Sequence, residues 1–417
     1  MRQNAVYSST VWNSRCNTLG MPEGVPVCGS SVNMPVSAMD REFRRPAGIV
    51  LQSPVCGLSS VAQEVRTLAL AFQSSGFPVC FVPADSPDDS TGAISFSVRQ
   101  QLEQLAHPKL DLARSILYYA AEPTSWNLDY YGHCRIGRAA FWTDRIPARW
   151  VEPCNAMDEI WVPSCFHREA FLASGVSAEK IVVFLLGVDT SLFRPGCSPL
   201  PIPHRRGFTF LSITDPRDRK GMDFLLRAFL QEFKADDNVS LLLKVTPQED
   251  SSMDVEAELA FFIEKEIGLA LENSPVILLL DDCLPLSAMP SLYAAADAFV
   301  MPARGEAWGK TLLEALACEL PVIATRWGSA AELLTDANAY LIEIEGLSPV
   351  LARDGFLAEH RWANPSVDHL RHLMRMVSSH PEEARNRARK GRAEVVASRD
   401  WNVLLPLWRE HCQGLLG

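Results

Sequence analysis

The chain of 417 residues carries a net charge of −11 and is 47% hydrophobic, which suits two large domains with substantial cores. That acidic balance argues against nucleic acid as a partner, because a phosphate backbone demands clustered Lys and Arg. The 11 cysteines are odd in number and form no Cys-x-x-Cys, which argues against a disulfide framework or a zinc site and for reduced thiols.

No apolar run reaches transmembrane length, and residues 1–12 lack the charged-then-apolar order of a secretory leader. The expected location is the cytoplasm. Peripheral contact with a membrane surface stays open, without a feature that supports it.

Residues 1–46 are rich in Ser, Asn, Pro and Gly and have no sustained period, so they read as a low-complexity, disordered or loosely packed extension. The pattern changes at Gly48-Ile-Val-Leu-Gln52, a buried strand, followed by a loop ending at Gly57. Val61, Val65, Leu68 and Phe72 then recur at helical spacing up to Gly76, and 77–82 is the next strand. Strand, loop, helix and strand make one Rossmann-type unit. The chain contains no Gly-x-Gly, so the dinucleotide fingerprint is absent and an NAD-dependent reading is disfavoured.

Residues 85–104 are polar and read as loop, then helix. Strands are expected at 115–119 and 139–143, separated by an aromatic, irregular loop over 121–135 of the kind that lines pockets. A further strand falls within 157–164. Cys197-Ser-Pro-Leu-Pro-Ile-Pro203 supplies linker chemistry, so the first domain spans 47–205.

The second domain, 206–398, opens with a strand at 209–213 and the turn Asp215-Pro-Arg-Asp-Arg-Lys-Gly221. A helix bearing Leu225, Leu226, Phe229 and Phe233 follows. Strands at 240–245 and 276–280 flank a helix face of Val255, Leu259, Phe262, Ile263 and Ile267. Tyr293-Ala-Ala-Ala-Asp-Ala-Phe-Val-Met-Pro302 leads into Arg304-Gly-Glu-Ala-Trp-Gly-Lys-Thr-Leu-Leu-Glu-Ala-Leu-Ala and then Leu320-Pro-Val-Ile-Ala-Thr325.

If the helix in that stretch starts near Gly309 or Lys310, Glu306 lies in the loop and Glu314 about one turn inside. The helix start offers unpaired N–H groups and a positive dipole end, which suit a phosphate. A carboxylate only accepts hydrogen bonds, so a ribose diol is a natural partner for Glu314. Spacing alone also fits two solvated glutamates beside an ordinary helix. Past a strand at 340–344 come helical segments over 367–397, one starting at Pro381. A terminal segment, 399–417, has Trp401, Leu404, Leu405 and Trp408 on one apolar face.

The stretch from Arg304 to Thr325 closely resembles the signature segment of family-4 retaining glycosyltransferases, with its Glu-x7-Glu motif. The resemblance implies the GT-B fold: α/β, with two Rossmann-like domains of parallel sheet facing a cleft. It also implies a nucleotide-diphosphate sugar as co-substrate, an unidentified acceptor, and neither cofactor nor metal; Asp-x-Asp, the metal signature of the other large glycosyltransferase class, is absent.

By resemblance, Glu306 touches donor-sugar hydroxyls and Glu314 the nucleotide ribose, with Trp308 and the amides of Gly309, Lys310 and Thr311 on the donor side. Arg219-Lys220-Gly221 matches the family's basic motif, in which Lys220 reaches the diphosphate with Arg219 beside it; the plain alternative is a solvated turn. Asp282-Cys-Leu-Pro285 aligns with the loop bordering the base, which puts Leu284 beside the ring. Cys56-Gly-Leu-Ser-Ser-Val resembles the first glycine loop, with Gly57 near the donor phosphate. Gly187-Val-Asp-Thr-Ser-Leu-Phe-Arg-Pro195 matches the interdomain segment.

Four departures stand out. Lys310 replaces a usually apolar residue, Glu319 replaces Gly, and Thr214 stands where the family has a further arginine. Asp144 takes the place of a histidine near the reacting sugar, with His133 upstream as an alternative. The competing readings are a GT-B hydrolase or epimerase, and a non-catalytic nucleotide-sugar binder.

Overall fold

The computed structural model describes residues 46–417, apart from 55–58, 84–93, 95, 107–109, 130–131, 216–217, 246–253, 283 and 351–358. Strands β1 (Ile49–Ser53), β2 (Val79–Pro83), β3 (Ile116–Ala120), β4 (Cys134–Arg138), β5 (Glu159–Val162) and β6 (Ile181–Val183) form one parallel sheet in the order β2-β1-β3-β4-β5-β6. Strands β7 (Phe208–Thr214), β8 (Val239–Val245), β9 (Val276–Leu280), β10 (Ala298–Met301), β11 (Val322–Thr325) and β12 (Tyr340–Ile342) form a second, in the order β12-β11-β10-β7-β8-β9. A hairpin, β13 (Ile344–Pro349) with β14 (Arg361–Pro365), is antiparallel.

Parallel sheets covered by helices on both faces need strands that are apolar on both sides. β8 (VSLLLKV) and β9 (VILLL) are buried at every position. The helix Ser60–Ser74 turns Val65, Leu68 and Phe72 inward against β1 and leaves Val61 38% exposed, so only three of its four periodic positions face the core. The Ser59 side chain caps it by accepting the Ala62 amide. The chain then leaves the helix through left-handed Gly76.

The two domains are joined by two adjacent chain segments. The Val188 amide donates to the Arg399 carbonyl at 2.8 Å, and the Trp401 amide returns to the Val188 carbonyl at 3.2 Å. The Asp400 carboxylate accepts from the Thr190 amide at 3.1 Å and from its hydroxyl. The terminal helix Trp401–Leu416 packs Trp401, Leu404, Trp408 and Cys412 into the core of the first sheet, with the Trp408 and Trp161 rings 5.0 Å apart. Among the described residues, no helix is long and apolar enough to cross a membrane.

One expected strand is misplaced. The strand following β3 is Cys134–Arg138, and 139–143 is the loop after it. Two arginines hide its apolar alternation. One of them, Arg138, is fully buried because its Nε donates to Glu64 at 2.9 Å. The hairpin β13–β14 was also not expected; its exposed strand contains Gly346 and Pro349, residues that weaken any strand signal.

Candidate functional site

Open α/β sheets place ligand sites at the carboxyl ends of their strands. β7 ends at Thr214 and runs through Asp215 into a tight turn, Asp218–Lys220. Gly221 leaves that turn with φ 67°, and a Cβ there would stand 2.0 Å from the Pro302 carbonyl oxygen. Only glycine lets the turn approach the loop after β10 this closely.

That loop is stitched to the turn. The Arg304 amide donates to the Arg219 carbonyl at 2.8 Å. The Arg304 guanidinium clasps both Asp223 carboxylate oxygens at 2.8 and 2.7 Å and donates to the Asp218 carbonyl at 2.6 Å. The Ser329 hydroxyl holds the Glu306 carbonyl at 2.9 Å.

The result is a compact charged cluster. Lys220 Nζ lies 2.7 Å from Glu306 Oε2, and Arg219 Nη1 is 3.5 Å from the same oxygen. The other arm of Arg219 reaches Asp215 at 3.4 Å, and its guanidinium stands 5.3 Å from the centre of the Trp142 ring, contributed by the first domain. The four charged side chains are only 11–13% exposed. Burial pushes the Glu306 carboxyl up, but the Lys220 ammonium and the Arg219 guanidinium outweigh it and hold the group below the usual carboxylate range. Burial likewise lowers the Lys220 ammonium, and Glu306 opposes that. Arg219 Nε is buried without a hydrogen-bond partner among the described residues.

Glu314 forms the second centre. The helix Lys310–Ala317 starts after Gly309, which is left-handed at φ 79°, and Glu314 sits inside it, 1% exposed. Tyr293 Oη donates to Glu314 Oε2 at 2.7 Å and approaches the Thr311 carbonyl at 3.3 Å. Glu314 Oε1 lies 3.2 Å from the Lys310 ammonium, outside hydrogen-bond geometry. That ammonium donates to the side-chain oxygen of Gln63 on the first domain. Gln63, Trp308, Lys310, Glu314 and Leu286 line a cavity of about 280 Å³ between the domains, together with Asp189 and Asp400.

The structure thus brings Lys220, Arg219 and Glu306 together, and separately Trp308, Lys310 and Glu314. Gly309 and Thr311 open the helix that joins the two groups. Leu284 is partly buried against the second domain's core, two residues before the cavity-lining Leu286. Gly57 lies outside the described residues.

Asp144 contacts the hairpin of the second domain. Its carboxylate accepts the Arg361 amide at 2.7 Å, and its own amide donates to the Arg361 carbonyl at 3.1 Å, so it pins β14 to the first domain. His133 is exposed just before β4, at the opposite end of the strand from the loop that carries Trp142. It therefore does not reach the cleft.

Sequence reasoning missed Asp215, Trp142, Tyr293 and Gln63. Asp215 had a usable signal, since it immediately follows the central strand β7. Tyr293 and Gln63 had none, because their partners are distant in sequence.

Comparison with known proteins agrees with this architecture. Residues 205–353 match the family described as glycosyl transferases group 1. The chain is 29% identical over 184 residues to D-inositol 3-phosphate glycosyltransferase 1 of Catenulispora acidiphila, covering 42% of each protein. It is 28% identical over 232 residues to a GDP-mannose-dependent monoacylated alpha-(1-6)-phosphatidylinositol monomannoside mannosyltransferase of Corynebacterium glutamicum, covering 52% of each. It therefore spans about half the length, or less, of these curated relatives.

Among solved structures, a sucrose-phosphate synthase from Thermosynechococcus elongatus superposes with a TM-score of 0.65 at 17% identity, covering 88% of this chain and 99% of that one. The Anabaena protein HepE, solved with UDP-glucose, gives 0.60 at 15% identity with the same coverage. The fold is GT-B, and the second domain is of the group 1 glycosyltransferase type.

Proposed function

We propose that this GT-B chain is a retaining glycosyltransferase that moves a sugar from a nucleoside-diphosphate sugar to an acceptor hydroxyl. The observation that carries the reading is the buried contact of Lys220 and Arg219 with Glu306, on the same loop and helix as Glu314. Two cations that share one carboxylate can turn toward a diphosphate, while Glu306 stays beside them for the sugar.

In this reading the base lies by Leu284 and Leu286, and the ribose diol donates to Glu314. The diphosphate meets Lys220, Arg219 and the amides of Gly309, Lys310 and Thr311. The bond between the anomeric carbon and the phosphate oxygen breaks, and its electron pair goes to that oxygen. Lys220 and Arg219 stabilise the charge that develops there. The acceptor hydroxyl attacks the oxocarbenium-like carbon from the same face and loses its proton to the departing phosphate. No side-chain nucleophile and no metal ion enters this scheme. Tyr293 holds the Glu314 carboxylate in place, and Arg304 holds the basic turn.

We place the reaction in the cytoplasm, with a membrane surface as a site to be tried because one relative is named as a phosphatidylinositol monomannoside mannosyltransferase. Incubation with UDP- and GDP-sugars, with and without an acceptor panel of glycans, polyols and lipid headgroup glycans, tests the proposal. Nucleoside-diphosphate release that requires an acceptor supports it, with the anomeric configuration of the product reporting retention. Equal release without acceptor assigns a hydrolase instead. Tight donor binding with no product under the whole panel assigns a binder.

A further inference from the structure

The interdomain linker and the end of the Glu314-bearing helix are held side by side by one guanidinium. Arg392 Nη1 donates to the Phe193 carbonyl at 3.3 Å and to the Ala317 carbonyl. The residues that follow those carbonyls, Arg194 and Cys318, are therefore neighbours. Cys197 turns back on the linker, and its Sγ–H donates to the Arg194 carbonyl at 3.4 Å. The Cys318 thiol also lies against the Arg194 backbone, close enough to feel charge on Cys197. Cys80, Cys134, Cys154 and Cys412 are buried and Cys165 is exposed, whereas both members of this pair are half-buried. Solvent can reach them.

We propose that Cys197 and Cys318 are an oxidisable thiol pair that closes to a disulfide between the interdomain linker and the helix Lys310–Ala317. The oxidant is a peroxide. The Cys197 thiolate attacks one peroxide oxygen, the O–O bond breaks, and hydroxide leaves and is protonated to water, giving a sulfenic acid. The Cys318 sulfur attacks the sulfenic sulfur, the S–O bond breaks, and a second water leaves. Two thiols lose the two electrons that the peroxide gains.

The order follows from environment. Burial pushes the Cys318 thiol up to about 12, so it is the poorer first nucleophile and acts second, helped by the Arg392 cation. The Cys318 amide donates to the Glu314 carbonyl at 3.0 Å, so the bond ties the linker to the turn that carries the buried carboxylate. This inference rests on the two thiols alone and holds whatever substrate the cleft takes.

The test uses the wild-type chain of 417 residues. It is treated with a small excess of hydrogen peroxide, unfolded, alkylated, and digested without reduction. A peptide pair joining Cys197 to Cys318, lost on treatment with dithiothreitol, is the expected result. In Cys318→Ser, the expected result is a Cys197 sulfenic acid trapped by dimedone, with no crosslink. Full alkylation of both cysteines under conditions that oxidise the exposed Cys165 would overturn the proposal. So would crosslinks of either cysteine to other thiols in place of each other.

Discussion

Lys220 Nζ stands 2.7 Å from Glu306 Oε2, although the two residues belong to loops after different strands, β7 and β10. The pair is buried, so neither charge is screened by water, and each is the main compensation for the other. A diphosphate entering the cleft competes with Glu306 for the ammonium. Lys220→Ala removes the cation and is expected to weaken nucleoside-diphosphate binding and slow transfer together. A charged hydrogen bond of this kind contributes about 1.5–3 kcal/mol, or roughly ten- to a hundredfold in affinity. Calorimetry and turnover on the variant check it; unchanged values in both remove Lys220 from the site.

Gly305 sets how closely the domains approach. A Cβ at this position would lie 2.0 Å from the Trp142 carbonyl oxygen of the first domain, a contact with rigid backbone. Gly305→Ala is expected to hold the cleft open and abolish transfer while each domain stays folded. Small-angle scattering in saturating nucleoside diphosphate should give a larger radius of gyration for the variant than for the wild type. Superimposable profiles would count against a closed working state.

Arg138 and Glu64 form a buried pair in the first domain, with Tyr118 Oη also donating to Glu64 at 3.2 Å. Arg138→Met leaves a buried carboxylate without its cation and is expected to cost about 3–5 kcal/mol of stability. Replacing both residues by Met should recover most of that. Urea titrations of the single and double variants decide it; a double variant as unstable as the single one contradicts the pairing argument.

His167 is fully buried, with Nδ1 2.7 Å from the Ser164 hydroxyl, and burial followed by the nearby Arg138 charge pushes its imidazole down to about 3. Between pH 6.5 and 3 the unfolded chain therefore binds a proton that the folded chain refuses. Stability from this residue is present above pH 6.5 and falls as the pH drops below it. Between pH 7.5 and 5.5 the wild type should lose about 1.4 kcal/mol more than His167→Gln. Denaturant midpoints of the two proteins at both pH values measure the difference, and parallel losses would mean that His167 is protonated in the fold.

What the sequence made legible was local. The basic turn and the two glutamates are short motifs whose geometry is set by neighbouring residues: Lys220 ends a tight turn after β7, and Glu314 lies inside the helix that starts after Gly309. Glu319, which stands in place of glycine, is left-handed at φ 57°, a conformation that costs a non-glycine residue about 1 kcal/mol. Legibility failed where tertiary partners override local pattern. Arg138 makes β4 look polar because its partner, Glu64, lies on a helix far back in the chain. Asp144 has the local features of a site residue, and its contact with Arg361, 217 positions away, is not legible in the sequence. Lys310 stands four residues before Glu314 on one helix, a legible pair, but nothing near Glu314 in sequence announces that Tyr293 donates to its carboxylate.

The central claim is that the two glutamates divide the donor, Glu314 holding the ribose and Glu306 the sugar beside the diphosphate cations. Nucleoside-diphosphate affinity in Glu306→Gln and Glu314→Gln, measured calorimetrically with UDP and GDP, tests it most directly. Glu314→Gln should weaken the bare nucleotide by roughly ten- to a hundredfold, because the ribose is common to substrate and product. Glu306→Gln should bind the nucleotide at least as tightly as the wild type, since Lys220 no longer has a competing carboxylate, while transfer falls sharply. A Glu306→Gln protein whose nucleotide affinity drops as far as that of Glu314→Gln would contradict the division.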